Sequence, residues 1–372
     1  MKKRRIKKSV YFIFLIIVIL IIGIVIILKD QSKNNVENSK PEVNENVDKI
    51  VEETAEKRMS LISVGDVLIH ESVYKDAYID GTYNFHKMFT EVEPILKRYD
   101  LKFCNQESII GGSALGISGY PSFNSPDEIG DELVNLGFNL ISLANNHTLD
   151  KGVDAVNYSN SYWKTKNVVT AGSYLNMEEQ NKVNIYEQNG IKYAFLAYTT
   201  LSNRSVPYEY LLNIYSADRV KNDIDKIKNQ VDVIIVSMHW GIEYTNTPTE
   251  SQKQIAEYLS GLGVNLIIGH HPHVVQPVSY INDTLVIYSL GNFISNQLSI
   301  GLNQGIGLMV GLDIVVDEEK VIFENIYKEL ILAYAENSTN FKVIPFSKLT
   351  DDMLYNYKNI EQQYMNIVNS EV

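Results

Sequence analysis

Hydrophobic and polar residues follow two alternating patterns along most of the chain. Short apolar runs of strand length recur from position 61 onward, and several are separated by stretches in which apolar residues repeat with helical spacing. The predicted strands are 61–69, 101–106, 138–144, 192–200, 232–239, 264–270 and 285–291. The predicted helices are 88–99, 126–136, 154–166, 217–229 and 250–262. This alternation predicts an α/β domain whose central strands are largely buried.

The last part of the chain has a different pattern. Beyond position 305 the helical spacing stops, and residues 307–316 and 320–332 have the pattern of antiparallel strands. We expect these strands to form a second, mixed or antiparallel sheet. The spacing at 350–368 predicts a terminal helix. We therefore assign residues 59–340 to the globular domain and residues 341–372 to a C-terminal helical tail.

The amino terminus has the pattern of a membrane anchor. Residues 10–28 form an uninterrupted run of 19 apolar residues, which is long enough for a helix to cross the hydrocarbon core. A cleaved signal peptide is the alternative, but it requires a shorter apolar region and a small-residue cleavage site, which are missing here. We predict a basic segment at 1–9, one transmembrane helix at 10–28 and a flexible stalk at 29–58, which has few large apolar side chains.

Charge indicates an orientation and argues against one class of function. The net charge is -12, and because six basic residues lie within the first eight positions, the remainder is more acidic still. The positive-inside rule places residues 1–9 in the cytoplasm and the main domain outside the cell membrane, as a single-pass protein. So acidic a domain lacks the basic surface that nucleic-acid binding requires, and we expect no nucleic-acid partner. The lone Cys104 excludes an intramolecular disulfide framework and a cysteine-based zinc cluster.

Residues that can bind metal follow five of the predicted strands. Five of the seven histidines lie in three short segments, at 145–147, 239–241 and 270–273. The candidates at the strand ends are Asp66, Glu107, Asn146, His147, His239 and the histidines of 270–273. Imidazole and carboxylate groups bind Zn, Mn and Fe, and ligands bind at the carboxyl ends of parallel strands. Each residue alone has a structural alternative, such as a turn, a helix cap or a core histidine, but their convergence on one sheet edge favours a divalent metal centre.

Six motifs follow one another between residue 59 and about residue 300: VGD (64–66), NQES (105–108), ANNHTLD (144–150), HWGIEY (239–244), GHHPHVVQP (269–277) and SLGNF (289–293). In this order they resemble the CapA family of bacterial capsule-synthesis proteins. The resemblance implies a calcineurin-like metallophosphoesterase fold, which is a four-layer α/β/β/α sandwich, here preceded by the transmembrane helix. It also implies a role in making or exporting poly-γ-glutamate at the cell surface, with the polyglutamate polymer and membrane-bound synthase subunits as partners.

The resemblance further implies a role for each site residue. The implied ligands of two divalent ions are Asp66, Glu107, Asn146, His239, His271 and His273. Glu107 bridges the two ions, Asp66 and His273 belong to the first ion, and the others belong to the second. His147 contacts the substrate or protonates a leaving oxygen. Asn105, His270 and Asn292 are additional candidates: His270 is an alternative to its neighbours as a ligand, and Asn292 is a hydrogen-bond partner of a ligand histidine.

Two positions depart from the broad metallophosphoesterase pattern. Leu68 stands where that pattern has a histidine, and Glu107 stands where it has an aspartate. His70 replaces the missing ligand only if the chain turns into a helix after Asp66, because on a continuing strand it lies about 13 Å away. Three functions stay open: a capsule-synthesis protein with a metallophosphatase-like domain, an envelope phosphoesterase or other metal-dependent hydrolase, and a non-catalytic scaffold that binds polymer.

Overall fold

The computed structural model describes residues 56–318 and 320–372. The predicted basic segment, transmembrane helix and most of the predicted stalk lie outside these ranges. Within the described ranges, no helix is both long enough and apolar enough to cross a membrane. Lys57 and Arg58, which the prediction assigned to the stalk, begin the first strand.

The elements alternate as the hydrophobic pattern indicates. The strands are β1 (Lys57–Val67), β2 (Tyr78–Ile79), β3 (Thr82–Tyr83), β4 (Leu101–Asn105), β5 (Leu140–Ser142), β6 (Val169–Ala171), β7 (Tyr186–Gln188), β8 (Ile191–Thr199), β9 (Val233–His239), β10 (Leu266–His270), β11 (Val278–Ile281), β12 (Thr284–Ile287), β13 (Asn292–Ile294), β14 (Ile306–Asp317), β15 (Lys320–Glu336) and β16 (Thr339–Pro345). The helices are α1 (Glu71–Ala77), α2 (Glu93–Leu96), α3 (Asp127–Asn135), α4 (Gly152–Lys164), α5 (Met177–Asn181), α6 (Ala217–Ile227), α7 (Glu250–Gly261), α8 (Leu302–Gly305) and α9 (Tyr357–Val368). All seven predicted strands are present, although most of them are shorter or shifted by a few residues.

Most of the strands belong to two sheets. The first has the order β16-β15-β14-β1-β4-β5-β6, with β13 also paired to β1, and the second has the order β11-β12-β10-β9-β8-β7. Strands β1, β4, β5 and β6 run parallel, and so do β8, β9, β10 and β12. Each sheet therefore has a parallel part whose strands all end at the same edge.

Three hydrophobic clusters separate four layers of structure. The largest lies between the sheets, where Phe103 of the first sheet contacts Phe195 of the second at a ring distance of 5.9 Å. Another packs the outer face of the first sheet, including Cys104, against α3 and α4 through residues such as Trp163. The third packs the second sheet against α6 and α7. Neighbouring residues on β4 thus face opposite layers, as the two-residue period of a strand requires.

The C-terminal strands differ from the expectation. Strand β14 pairs antiparallel with β1, with Leu312 opposite Leu61, so residues 306–345 extend the first sheet and do not form the second. The predicted boundary at 341 falls inside β16, where Phe341 and Val343 are buried. The assignment of residues 341–372 to a helical tail is therefore wrong for this strand, and the terminal helix is limited to α9.

The predicted helix at 88–99 is also replaced by shorter elements. A 3₁₀ turn covers His86–Met88, and α2 covers only Glu93–Leu96. Pro94 lies in the first turn of α2. Proline has no backbone N–H to donate, so it is compatible with the start of a helix but not with its interior.

Candidate metal centre

The carboxyl ends of strands from both sheets meet around one buried cluster. Asp66 lies at the end of β1, Glu107 follows β4, and Asn146 follows β5, whereas His239 and His270 end β9 and β10 in the second sheet. The sequence interpretation placed these residues on one sheet edge. The structure shows two edges, one from each sheet, which the packing of the sheets brings together.

Glu107 lies at the centre of this cluster. Its Oε1 is 3.5 Å from His273 Nε2 and 3.9 Å from His239 Nε2. On one side, His273 Nδ1 lies 3.1 Å from Asp66 Oδ2. On the other side, His239 Nε2 lies 2.9 Å from Asn146 Oδ1. Both carboxylates and His239 are fully buried.

The spacing and the unpaired oxygens of the cluster fit divalent metal ions. One ligand atom from each of Asp66, Glu107 and His239 lies within 4.8 Å of the others, and the same is true of Glu107, His271 and His273. Both Glu107 oxygens are buried without a hydrogen-bond partner among the described residues, and the only nitrogen near the buried Asp66 Oδ2 is His273 Nδ1. Such groups are costly to bury, and a cation bound between them would satisfy them. A divalent metal centre that shares Glu107 is therefore consistent with the residues present.

The division of ligands between two ions stays a prediction. The contacts of His273 with Asp66 and of His239 with Asn146 agree with the division that the resemblance implies. The two sets of ligand atoms that lie within 4.8 Å of one another, here called the metal-type groupings, instead place His239 with Asp66, and His271 with His273. Glu107 is common to both arrangements.

The segment that carries the last histidines is not extended. His271 has φ 94° and His273 has φ 57°, a region that residues other than glycine rarely occupy. One ring nitrogen of each histidine nevertheless lies within 4.8 Å of the other and of a Glu107 oxygen, so both face the cluster. Backbone conformations of this kind cost about 1–3 kcal/mol each and concentrate at functional sites.

His270 faces away from the other histidines. Its Nε2 lies 3.0 Å from Ser237 Oγ, and its ring stacks on Phe103 at 5.2 Å. Its Nδ1 is 3.8 Å from Asp66 Oδ1. Neither metal-type grouping among the described residues includes His270. The structure therefore places it between the sheets, beside Asp66.

Two asparagines hold the ligand side chains in position. Asn105 Nδ2 donates to Asp66 Oδ1 at 2.7 Å. Asn292 Oδ1 lies 3.0 Å from His273 Nδ1, and its own Nδ2 donates to Gln297 Oε1 at 2.9 Å. An acceptor at Nδ1 keeps a proton on that nitrogen, so that in the neutral ring the lone pair of Nε2 is directed towards Glu107.

A close approach of two glycines places Asp66 beside Asn292. A Cβ atom on Gly65 would lie 1.8 Å from the carbonyl oxygen of Gly291. The backbone N–H of Asp66 donates to that same oxygen at 2.9 Å. Gly291 itself has φ 63°, which glycine adopts without strain. The turn after β12 therefore requires both glycines.

Burial and neighbouring charges shift the pKa values of the cluster in different directions. Burial, together with the charge of Asp66, raises the pKa of Glu107 well above its ordinary value. Burial opposes ionisation of Asp66, but the hydrogen bond and charge of His273 bring its pKa below the ordinary value. Burial acts to lower the pKa of His273, but the charges of Glu107 and Asp66 raise it to about 9. Burial lowers the pKa of His239 well below its ordinary value and that of His271 to about 3, and neighbouring histidines add to both shifts.

His147 lies beside the cluster on the wall of a cleft of about 690 Å³. Its Nδ1 is 2.7 Å from Asp150 Oδ2 and 3.3 Å from Asn203 Nδ2. Asp150 Oδ2 also accepts the backbone N–H of Phe123 at 2.8 Å, which fixes the carboxylate. The carboxylate therefore holds a proton on Nδ1 and leaves Nε2 as the ring nitrogen available to a bound molecule.

Sequence reasoning missed two of these residues. Asp150 is within the ANNHTLD motif, and its spacing of three residues from His147 in a turn was a usable signal. Asn203 comes from a distant loop, and no local pattern connects it with His147. Its backbone N–H also donates to the carbonyl oxygen of Asn146 at 3.0 Å.

His70 lines the cleft and is not a member of either metal-type grouping among the described residues. The chain does turn into a helix after β1, but α1 begins only at Glu71. The backbone N–H of Asn296 donates to His70 Nδ1 at 3.2 Å. Burial lowers the pKa of His70 to about 4, so the ring is neutral near neutral pH. Leu68, which stands where the broad metallophosphoesterase pattern has a histidine, lines the same cleft. Its side chain cannot bind a metal ion.

The two aromatic residues beside His239 have different environments. Trp240 is fully buried, and its Nε1 donates to the carbonyl oxygen of Tyr288 at 2.9 Å. Tyr244 is 38% exposed and lines the cleft. A larger groove of about 880 Å³ lies elsewhere, beside Met177 and Arg219, and none of the site histidines lines it.

Comparison with known proteins identifies the family. Residues 60–297 match the family described as bacterial capsule synthesis protein PGA_cap. The chain belongs to this family. The PGA biosynthesis protein CapA of Bacillus subtilis (strain 168) is 28% identical over 252 residues, which cover 64% of this chain and 64% of that protein. The capsule biosynthesis protein CapA of Bacillus anthracis is 26% identical over 255 residues, which cover 65% of this chain and 61% of that protein. Each match thus spans less than two thirds of the relative's own length.

Solved structures of phosphoesterases also align with the chain. The calcineurin-like phosphoesterase YfkN from Bacillus subtilis aligns with a TM-score of 0.48 at 13% identity, covering 84% of this chain and 98% of that one. A phosphatase from Mycoplasma pneumoniae aligns with a TM-score of 0.45 at 18% identity, covering 74% of this chain and 94% of that one.

Proposed function

We propose that this PGA_cap protein takes part in making or exporting poly-γ-glutamate, and that its main domain binds two divalent ions and hydrolyses a phosphoester. The family and the names of the two Bacillus relatives support the capsule role. The observation that carries the enzymatic part is the buried Glu107, whose unpaired oxygens are shared by two metal-type groupings. The candidate ligands follow one another along the chain in the order of the calcineurin-like metallophosphoesterase pattern. This order supports a metal site of that kind in the four-layer fold.

Each side chain of the site has a distinct task in this proposal. When bound, the divalent ions polarise the phosphoester and supply an activated water. Asp66, Glu107 and the histidines His239, His271 and His273 hold them. His147 gives a proton from Nε2 to the leaving oxygen, and Asp150 holds the imidazole ring in the orientation that this transfer requires.

The test is hydrolysis of phosphomonoesters and phosphodiesters by the full-length chain supplied with Mn²⁺. His239→Ala removes an imidazole ligand, so metal content and rate should both fall. His147→Ala should keep the metal and lose about 10²- to 10⁴-fold in rate, which is typical of a lost proton donor. His86→Ala is the matched control, because this histidine is exposed and lies outside the cleft. Full activity of His147→Ala would overturn the catalytic part.

The second candidate is a non-catalytic scaffold. Leu68, where the broad pattern has a histidine, and the exclusion of His70 from both described metal-type groupings favour it. A scaffold would support capsule formation in cells with His147→Ala as well as with the wild-type protein. Loss of the capsule with a protein that is still made and anchored would favour the enzyme.

The membrane location and the partners belong to the same proposal. Residues 10–28 anchor the chain, residues 1–9 stay in the cytoplasm, and the main domain lies outside the cell with the polymer and the synthase subunits. Poly-γ-glutamate is a polyanion, and an acidic domain repels it unless cations intervene. We therefore expect polymer binding to require divalent cations. Equal binding in excess chelator would contradict this expectation.

A further inference from the structure

A row of packed aromatic side chains leads from the outside of the domain to His147. Tyr120 is 77% exposed, and its ring lies 6.4 Å from the ring of Phe123. Phe123 is buried, and its ring meets His147 edge to face at 4.8 Å. All three residues line the cleft. Exposed aromatic groups in such a concave position indicate a binding surface, because water is a poor environment for them.

Two further residues of the cleft also expose apolar surface. Tyr244 lies 6.3 Å from the ring of His273, and Ile300 is 63% exposed. Both residues line the cleft. The cleft therefore has apolar groups besides Tyr120, although the metal-type cluster beside it is polar.

The charges along the cleft do not suit a polyanion. Arg204 is the only lysine or arginine among the described residues that line the cleft, and it is accompanied by Asp150 and Glu243. A groove that follows an anionic polymer needs several cations, as binding sites for other polyanions show. The charge balance instead suits a molecule with a single anionic group that reaches the metal centre.

We propose that the substrate of this site is a phosphoester with a bulky apolar leaving group, and that Tyr120 binds that group. This inference rests on the proposed function. His147 protonates the leaving oxygen, so the leaving group must lie on the side of the cleft next to His147, where Phe123 packs on the imidazole and the exposed Tyr120 follows it.

The reaction balances with water as the only co-reactant. A water oxygen forms a bond to phosphorus while the bond between phosphorus and the leaving oxygen breaks. The leaving oxygen takes a proton from His147 and departs as an alcohol. The proton lost by the attacking water restores His147, and the phosphoryl group departs with the water oxygen.

Binding of alkylphosphonates to the full-length chain with Mn²⁺ tests the inference without any turnover. Hexylphosphonate should bind at least about tenfold more tightly than ethylphosphonate, since each fully buried methylene contributes about fourfold in affinity. Calorimetry should show that Tyr120→Ala removes most of this preference. Tyr355→Ala is the matched control, because Tyr355 is 84% exposed and lies outside the cleft, and it should keep the preference.

Hydrolysis gives a second readout with the same variants. Hexyl phosphate and ethyl phosphate have leaving groups of similar basicity. A higher kcat/KM for hexyl phosphate therefore reports binding of its longer alkyl group. Equal affinity for the two phosphonates, in a protein that does bind inorganic phosphate, would overturn the inference and leave the proposed hydrolysis standing. Failure to bind phosphate or either phosphonate would overturn the proposed hydrolysis, and the inference with it.

Discussion

Replacing Asp150 by asparagine should slow hydrolysis while leaving the metal centre intact. Asp150 Oδ2 lies 2.7 Å from His147 Nδ1, and the two side chains are 1% and 8% exposed. The asparagine oxygen can still accept the N–H of Phe123, which now bonds to Oδ2 of the carboxylate. That same oxygen faces His147 Nδ1 and can still accept its proton, but the amide is neutral. The protonated imidazole that donates from Nε2 therefore loses the negative charge that stabilises it.

The magnitude follows from the charge that is lost. A buried hydrogen bond contributes about 1.5–3 kcal/mol when one group is charged and about 0.5–1.5 kcal/mol when both are neutral, so the difference is about 1–1.5 kcal/mol, or a rate loss of about 5- to 13-fold. Outer partners of catalytic groups typically account for about 10- to 100-fold. We expect kcat to fall by about 5- to 13-fold, near the lower end of that range, and KM to change little, because Asp150 does not touch the phosphoryl group in this account.

The assay is steady-state hydrolysis combined with metal analysis of the same protein. Asp154→Asn is the matched control, because Asp154 is exposed in the first turn of α4 and makes the same chemical change. The control should keep wild-type kcat. A folded, metal-loaded Asp150→Asn protein with kcat within about twofold of wild type would refute the role assigned to the His147–Asp150 pair.

Three further outcomes are expected. Metal affinity should rise about tenfold per pH unit up to about pH 9, because His273, whose pKa is raised to about 9, must lose its proton to bind metal. A metal affinity that does not change between pH 6.5 and 8.5 would contradict this. Gly65→Ala should lower the unfolding free energy by at least about 2 kcal/mol, because its Cβ would collide with Gly291. Gly261→Ala is the control and should not lower it, because no atom lies within 4 Å of the new Cβ. Thermal unfolding compares the two variants. External protease on cells with an accessible surface should release a soluble fragment that begins within residues 29–58, and full protection would refute the orientation.

The local hydrophobic pattern was sufficient for most strands and helices of the domain. Runs such as 233–236 are apolar throughout because β9 has covered faces on both sides, and such runs are easily recognised. The partners of β14 and β15 could not be predicted in the same way. Their apolar residues satisfy the pattern of either sheet, and pairing with β1 depends on contacts between residues distant in sequence.

The site was predictable as a set of residue types but not as a geometry. Strand ends indicated Asp66, Glu107 and His239, and the structure brings them together. The turn containing His271 and His273 could not be predicted, because positive φ values at histidine have no signal in a single sequence. Contacts across the cleft, such as that of Asn203 with His147, arise only from the tertiary fold.

Metal analysis of the purified full-length chain and of Glu107→Gln tests the central claim most directly. Glutamine keeps the shape of Glu107 but lacks the charge and one of the two oxygen donors that both groupings share. The account predicts about two divalent ions per wild-type chain and loss of most of both in Glu107→Gln, with the fold retained. Equal metal content in the two proteins, or a wild-type chain that binds no divalent ion at micromolar concentration, would contradict it.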